Sequence, residues 1–148
     1  MLSALQISSD FGAFLKKLII TAIMLTSFSS QADCWIVGDM KGQSQFAPDF
    51  LPQADEVAGK YRININGSEA SVAGVDDVYN SGLTYKALSP ISVLGTVYRD
   101  GSSFIETWTF AAGNKVIYTK AKANYSHLTQ SSSFVGDVVG KCQPSVAE

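Results

Sequence analysis

The sequence predicts an all-β fold, a single antiparallel meander of about eight strands closed into a small barrel. Three observations carry this. Short segments of strand composition alternate with turn residues from position 35 onward. No segment beyond position 32 repeats apolar residues at i, i+3, i+4 and i+7, so no long helix is expected. The two cysteines, Cys34 and Cys142, lie at the first and last of the strand segments. Eight short strands joined by tight turns must either close or stack, which leaves a sandwich as the alternative. In an up-and-down run of eight, the start of the first strand and the end of the last lie at the same end of the sheet. A Cys34–Cys142 disulfide would clip these two edges together and remove the exposed edges that invite aggregation.

The elements follow in order. Residues 35–45 read as the first strand. Residues 45–56 contain Pro48, Pro52 and several acidic side chains, so they read as a long loop. Val57, Gly59, Tyr61, Ile63 and Ile65 alternate with Ala58, Lys60, Arg62 and Asn64, the period of a half-buried strand. Asn66-Gly67 follows at once and predicts a hairpin with positive φ at both positions, returning through residues 68–75. Residues 75–82 form a polar loop, and 83–88 a short strand stopped before Pro90. Residues 91–98, 103–110 and 115–124 make a three-strand meander turning at Asp100-Gly101 and Gly113-Asn114. Residues 126–132 read as a polar loop and 134–142 as the last strand, with Gly136 and Gly140 on the face of Cys142, where a barrel bends.

Ahead of this domain, Lys16-Lys17 and the apolar run 18–25 have the form of a secretory signal, with Ser30-Gln31-Ala32 as a small-x-small cleavage site. The domains are therefore a signal peptide over 1–32 and a β-barrel over 33–148. Residues 1–14 sit awkwardly before a normal opening, and a start at Leu15 would remove them. The apolar run is shorter than the roughly 20 residues that span a bilayer. The expected location is periplasmic or secreted, with no integral membrane segment in the mature chain. An oxidising compartment predicts that Cys34 and Cys142 pair.

The chain holds eleven Lys and Arg against thirteen Asp and Glu; without Lys16, Lys17 and Asp10, nine face twelve. The charges are dispersed, which argues against nucleic acid as a partner, since phosphate binding needs clustered cations. A metal site is not expected: there is no C-x-x-C, and His127 is the single histidine. Asp76, Asp77 and Asn80 lack calcium-loop spacing and read as an acidic turn. His127 lies in a polar stretch without a G-x-S-x-G serine elsewhere, so no catalytic residues, no cofactor and no enzyme activity are assigned.

The segment 103–110 carries the candidate ligand site. Phe104, Glu106, Trp108 and Phe110 share one face, and a carboxylate among three aromatics is costly to bury without a partner. Either that face is outward and partly wet, or Glu106 lines a cavity; a lysine of the neighbouring row Val116, Tyr118, Lys120 and Lys122 could pair with it, or it could fix a small ligand above an aromatic wall that includes Tyr118. Phe46, Phe50 and Leu51 in the first loop would form the rim as a lid, a plug completing the core, or an exposed patch for a partner protein.

With Trp35 early, a long loop after the first strand, a meander and termini tied by a disulfide, the chain resembles calycin or lipocalin-type barrels in outline. The G-x-W opening and T-D-Y motif of that family are not present. The resemblance implies a cup for a small apolar ligand. The alternative is a cell-envelope interaction module, such as an inhibitor of a secreted hydrolase, acting through its loops.

Overall fold

The computed structural model describes residues 32–76 and 82–142, and within them every regular element is a strand. In chain order these are β1 (Asp33–Phe46), β2 (Pro52–Val57), β3 (Tyr61–Asn66), β4 (Glu69–Gly74), β5 (Thr84–Ser89), β6 (Ser92–Arg99), β7 (Ser102–Ala111), β8 (Lys115–Tyr125) and β9 (Leu128–Lys141). Neighbours pair antiparallel in the order β2-β1-β3-β4-β5-β6-β7-β8-β9, and β1 also pairs with β9, so the sheet closes on itself. β2 and β3 lie end to end along one side of β1: Gln45 faces Pro52 and Met40 faces Val57, while Val37 faces Tyr61 and Asp33 faces Ile65. They form one strand broken at Ala58-Gly59-Lys60, where Gly59 takes φ of 87°. Counted so, the barrel has eight strands, as the turn spacing predicted. The candidate export segment lies outside the described residues, Ala32 excepted.

Cys34 and Cys142 are bonded, with Cα atoms 5.0 Å apart, inside the usual range for a disulfide. The Cys142 amide donates to the Cys34 carbonyl at 3.0 Å, so the last residue of the wall is stitched to the first by backbone as well.

Chain direction sorts the connections onto two ends. One end, here the base, carries the disulfide and the turns at 67–68, 90–91 and 112–114. The other end, here the mouth, carries the segments 47–51, 100–101 and 126–127, with 75–76 after β4 and 82–83 before β5.

Three expectations are corrected. The long loop of 45–56 shrinks to 47–51, because 52–57 pairs with the second half of β1. Pro52 is tolerated there as the first residue of its strand, where a missing N–H costs least. The loop of 126–132 is mostly strand: β9 begins at Leu128, and only Ser126 and His127 turn the chain. Its inward row, Gln130, Ser132 and Phe134, alternates with exposed Ser131, Ser133 and Val135, so polarity marks an interior row here and not a loop. The first hairpin is displaced by one residue. Asn66 pairs with Glu69, so Gly67 and Ser68 make the turn. Gly67 has φ of 61° and Ser68 is not in the left-handed region, the pattern of a type II′ turn instead of I′. Asp100-Gly101, by contrast, has both residues at positive φ between Arg99 and Ser102, as expected.

The core fills the base half. Val37, Met40, Ile63, Ile65, Val72, Val93, Trp108, Val116, Tyr118 and Phe134 form one buried cluster. A bulge at Gly38–Lys41, with Asp39 at φ of 54°, shifts the inward row of β1 from Trp35 and Val37 to Met40, Gly42 and Ser44. Gly136 belongs to this packing, since a Cβ there would lie 2.5 Å from Met40 Cγ, whereas Gly140 faces open space and has no steric reason to be glycine.

Candidate functional site

β7 turns the expected face inward. Phe104, Glu106 and Trp108 are buried, while Ile105 stands exposed on the outer wall. The strand pairs with β6 and β8 along its whole length, so the alternation cannot slip without exposing every aromatic at once.

Glu106 lies mid-wall with no accessible surface. Tyr85 Oη donates to its Oε1 at 2.6 Å, Trp108 Nε1 to the same oxygen at 3.0 Å, and Tyr118 Oη to Oε2 at 2.9 Å. These neutral donors answer the burial cost of the carboxylate. Register places Lys120 directly across from Glu106. Among the described residues, however, the one ion pair within 4 Å is Lys115–Asp137 on the surface. The expected lysine–Glu106 pairing is therefore replaced by two tyrosines and an indole. Gly95, the register partner of Glu106 on β6, makes room for Tyr85: a Cβ at Gly95 would lie 2.5 Å from the tyrosine ring.

Around this carboxylate the aromatics stack. Trp108 and Tyr118 have ring centroids 4.0 Å apart, Tyr118 and Phe134 5.7 Å, and Tyr61 lies 5.4 Å from Trp108. Burial, then the Glu106 charge, raises the Tyr61 hydroxyl above its ordinary pKa. The same stack forms the floor of a polar layer nearer the mouth.

That layer was not legible as a site in the sequence. Ser44 and Ser132, both buried, share a hydrogen bond of 2.6 Å. Ser44 Oγ also donates to Asp55 Oδ2, and Gln130 Nε2 donates to Ser132 Oγ at 3.1 Å. Lys120 and Lys122 continue the inward row of β8 toward the mouth. The Lys120 ammonium lies 5.2 Å from the Phe134 ring centre, and that of Lys122 lies 4.6 Å from Phe104 and 5.8 Å from Tyr125. Burial first, then repulsion from Lys122, hold the Lys120 amine below its ordinary pKa, with Asp55 and Glu106 pulling the other way. The signal available in the sequence was the alternation Gln130, Ser132, Phe134 set against Lys120 and Lys122.

The expected site residues are thus spread along the barrel axis. Phe104 and half-buried Phe46 lie near the mouth, Glu106, Trp108 and Tyr118 at mid-depth, and Phe110 at the base, its ring centre 4.3 Å from Trp35. Phe50 and Leu51 are 43% and 70% exposed, so the first loop does not complete the core. His127 is exposed at the tip of the β8–β9 turn. Asp76 is exposed, and Asp77 and Asn80 lie outside the described residues.

At the mouth, Gly82, Val97, Arg99, Asp100, Ser102, Tyr125 and Ser126 line a hollow of about 330 Å³. Backbone strain gathers at the same end. Phe50, Asp100, Asn124, Ser126 and His127 all hold positive φ, against Asn114 at the base and Asp39 in the wall. Asp100, Ser126 and His127 take this conformation as residues of two-residue hairpin turns, whereas Phe50 and Asn124 hold it outside such turns. Comparison with protein-family models, curated proteins and solved structures finds no match.

Proposed function

We propose that this chain is an exported, non-catalytic barrel that takes a small ligand through the mouth bounded by 47–51, 100–101 and 126–127. The observation that carries the reading is where the polar residues lie. An interior filled for stability alone would be apolar throughout, as it is toward the base. The half beneath the mouth instead holds Ser44, Asp55, Gln130, Ser132, Lys120 and Lys122. A hollow of about 330 Å³ opens at that end, a volume at the lower bound for small-molecule sites; one of about 340 Å³ beside Trp35, Phe110 and Val138 opens at the base, so the polar lining and not the volume selects the mouth. A closed eight-stranded wall is compatible with the calycin cup without being specific to it.

The lining changes the expected ligand. A purely apolar molecule would leave the polar layer without hydrogen-bond partners, so one with a polar end suits the site better. Native mass spectrometry of protein isolated from its own envelope tests the reading, with a retained small-molecule mass as the expected result. Val97→Trp, which fills the mouth hollow, should remove that mass while leaving the urea midpoint within about 1 kcal/mol of wild type, the usual range for a site outside the core. Retention with the mouth filled would place the ligand elsewhere, and no adduct or saturable binding at all would sink the cup.

A second reading, an envelope interaction module, is favoured by the outer wall of β6–β9. There the outward rows from Leu94 to Tyr98, Ile105 to Thr109, Ile117 to Ala121 and Ser131 to Val135 carry no charge, and the Lys115–Asp137 pair stands at the base edge of the same wall. Charged side chains normally occupy about a quarter to a third of a surface, and uncharged walls with exposed aliphatics favour contact with other proteins. Ile105→Lys separates the readings, since it should abolish partner capture while sparing ligand retention.

A further inference from the structure

Among the described residues facing the interior, Lys120 and Lys122 form no ion pair within 4 Å. Asp55 accepts from Ser44 and from the Glu56 amide, and Glu106 from Tyr85, Trp108 and Tyr118. The two acids nearest the β8 lysines are thereby committed to neutral donors. Lys120 and Lys122 lie over aromatic rings at 5.2 and 4.6 Å, and no carboxylate is within 4 Å of either among the described residues, although Asp55 and Glu106 act on Lys120 from farther off. They are two positions apart on one strand face, so their Cα atoms are separated by about 6.6 Å. The two charges oppose each other, and an anion between them would relieve that repulsion. A cation over an aromatic face is held by only about 0.5–2 kcal/mol, so an incoming anion can recruit both amines readily. Beside Lys122 lie Phe104 and Tyr125, their ring centres 5.4 Å apart, and Tyr125 lines the hollow at the mouth together with Val97.

Resting on the cup reading above, we propose that the ligand is an anionic amphiphile whose head group docks between the Lys120 and Lys122 ammonium groups while its apolar chain lies against Phe104, Tyr125 and Val97. Both lysines are half-buried, on the stretch of the inward row of β8 nearest the mouth.

The test titrates the mature, disulfide-bonded chain with decanoate, decyl sulfate, decanol and decyltrimethylammonium, read by calorimetry and Trp fluorescence. Decanoate and decyl sulfate are expected to bind at least about tenfold tighter than decanol, which matches one charge-assisted hydrogen bond of about 1.4 kcal/mol. Decyltrimethylammonium is expected to bind weaker than decanol. In the Lys120→Gln/Lys122→Gln double variant decanoate should fall to the decanol level, and in the Lys→Arg pair it should keep its advantage. Acetate at the same concentration should not compete, since it lacks the chain. Equal binding of decanoate and decanol would overturn the head-group assignment and leave the cup standing, as would persistence of the preference in the Gln pair. Tighter binding of the quaternary amine to wild type would overturn it too, whether or not the variants fold. Competition by acetate as strong as decanoate would overturn the amphiphile. Failure of every probe to bind would sink the cup with it.

Discussion

Glu106→Leu removes the one acceptor shared by Tyr85, Trp108 and Tyr118, at a site with no solvent access. A buried donor stripped of its partner costs about 1–3 kcal/mol, which for three donors gives roughly 3–9 kcal/mol. Losing the buried carboxylate returns its own desolvation cost, which offsets several kcal/mol of this. The expected net loss is about 3–5 kcal/mol, the lower part of that range once the returned desolvation is taken off. Glu106→Gln retains one oxygen for Tyr85 and Trp108, while its amide faces the Tyr118 hydroxyl, which can rotate to accept. That variant should lose less than about 1.5 kcal/mol, the worth of a neutral hydrogen bond. The assay is urea unfolding of the oxidised protein followed by Trp fluorescence, where about 3 kcal/mol moves the midpoint by roughly 1–3 M for ordinary slopes. The triple variant Glu106→Leu/Tyr85→Phe/Tyr118→Phe should be more stable than Glu106→Leu alone, because removing stranded hydroxyls removes their penalty. A Glu106→Leu midpoint equivalent to less than about 1 kcal/mol of loss would refute the carboxylate as the hub of the interior. So would a triple variant weaker than the single by the sum of its parts.

The remaining predictions are shorter. Reduction of Cys34–Cys142, which closes a separation of 108 residues, should cost about 4–5 kcal/mol in the chain-entropy account; thiol labelling of native protein should find neither cysteine, and an unchanged melting temperature under reductant would contradict the estimate. Gly67→Val, at φ of 61°, should lose about 1–3 kcal/mol, and an unchanged urea midpoint would mean the turn tolerates a Cβ. His127→Gly, at φ of 62°, should gain about 1 kcal/mol by removing left-handed strain, so an unchanged or lowered midpoint would argue against strain at the mouth. Lys120 has a folded-state pKa below its ordinary 10.5 through burial and Lys122, so between the two values the unfolded chain binds more protons and stability rises with pH. Tyr61, raised above 10.0 by burial and Glu106, works in the opposite sense only beyond that pH. Lys120→Met should therefore flatten the rise in urea midpoint on the alkaline side below pH 10; an identical slope in variant and wild type would refute the assignment.

Strand composition, turn residues and cysteine placement determined the all-β class, the count of eight and closure of the barrel through Cys34 and Cys142. Those features are local, or follow from the parity of an up-and-down chain. Alternation in 104–110 put Phe104, Glu106, Trp108 and Phe110 on one face of β7, since a period of two admits only two faces, while the closed wall decided that this face is the inner one. Tertiary structure alone decided the rest. Residues 128–133 look like loop until β1 and β8 supply partners for Gln130 and Ser132, since a polar row is costly inside a wall only when nothing across the barrel answers it. Pro52–Val57 becomes strand only because the second half of β1 lies alongside. The partners of Glu106 were not legible either: Lys120 is its neighbour by register, yet Tyr85, twenty-one residues away in sequence, reaches it across Gly95. That contact follows from the register of β5, β6 and β7, which sets Tyr85, Gly95 and Glu106 in one row, and only the paired sheet fixes that register. With Glu106 held by neutral donors, Lys120 and Lys122 are left toward the mouth with no carboxylate within 4 Å among the described residues.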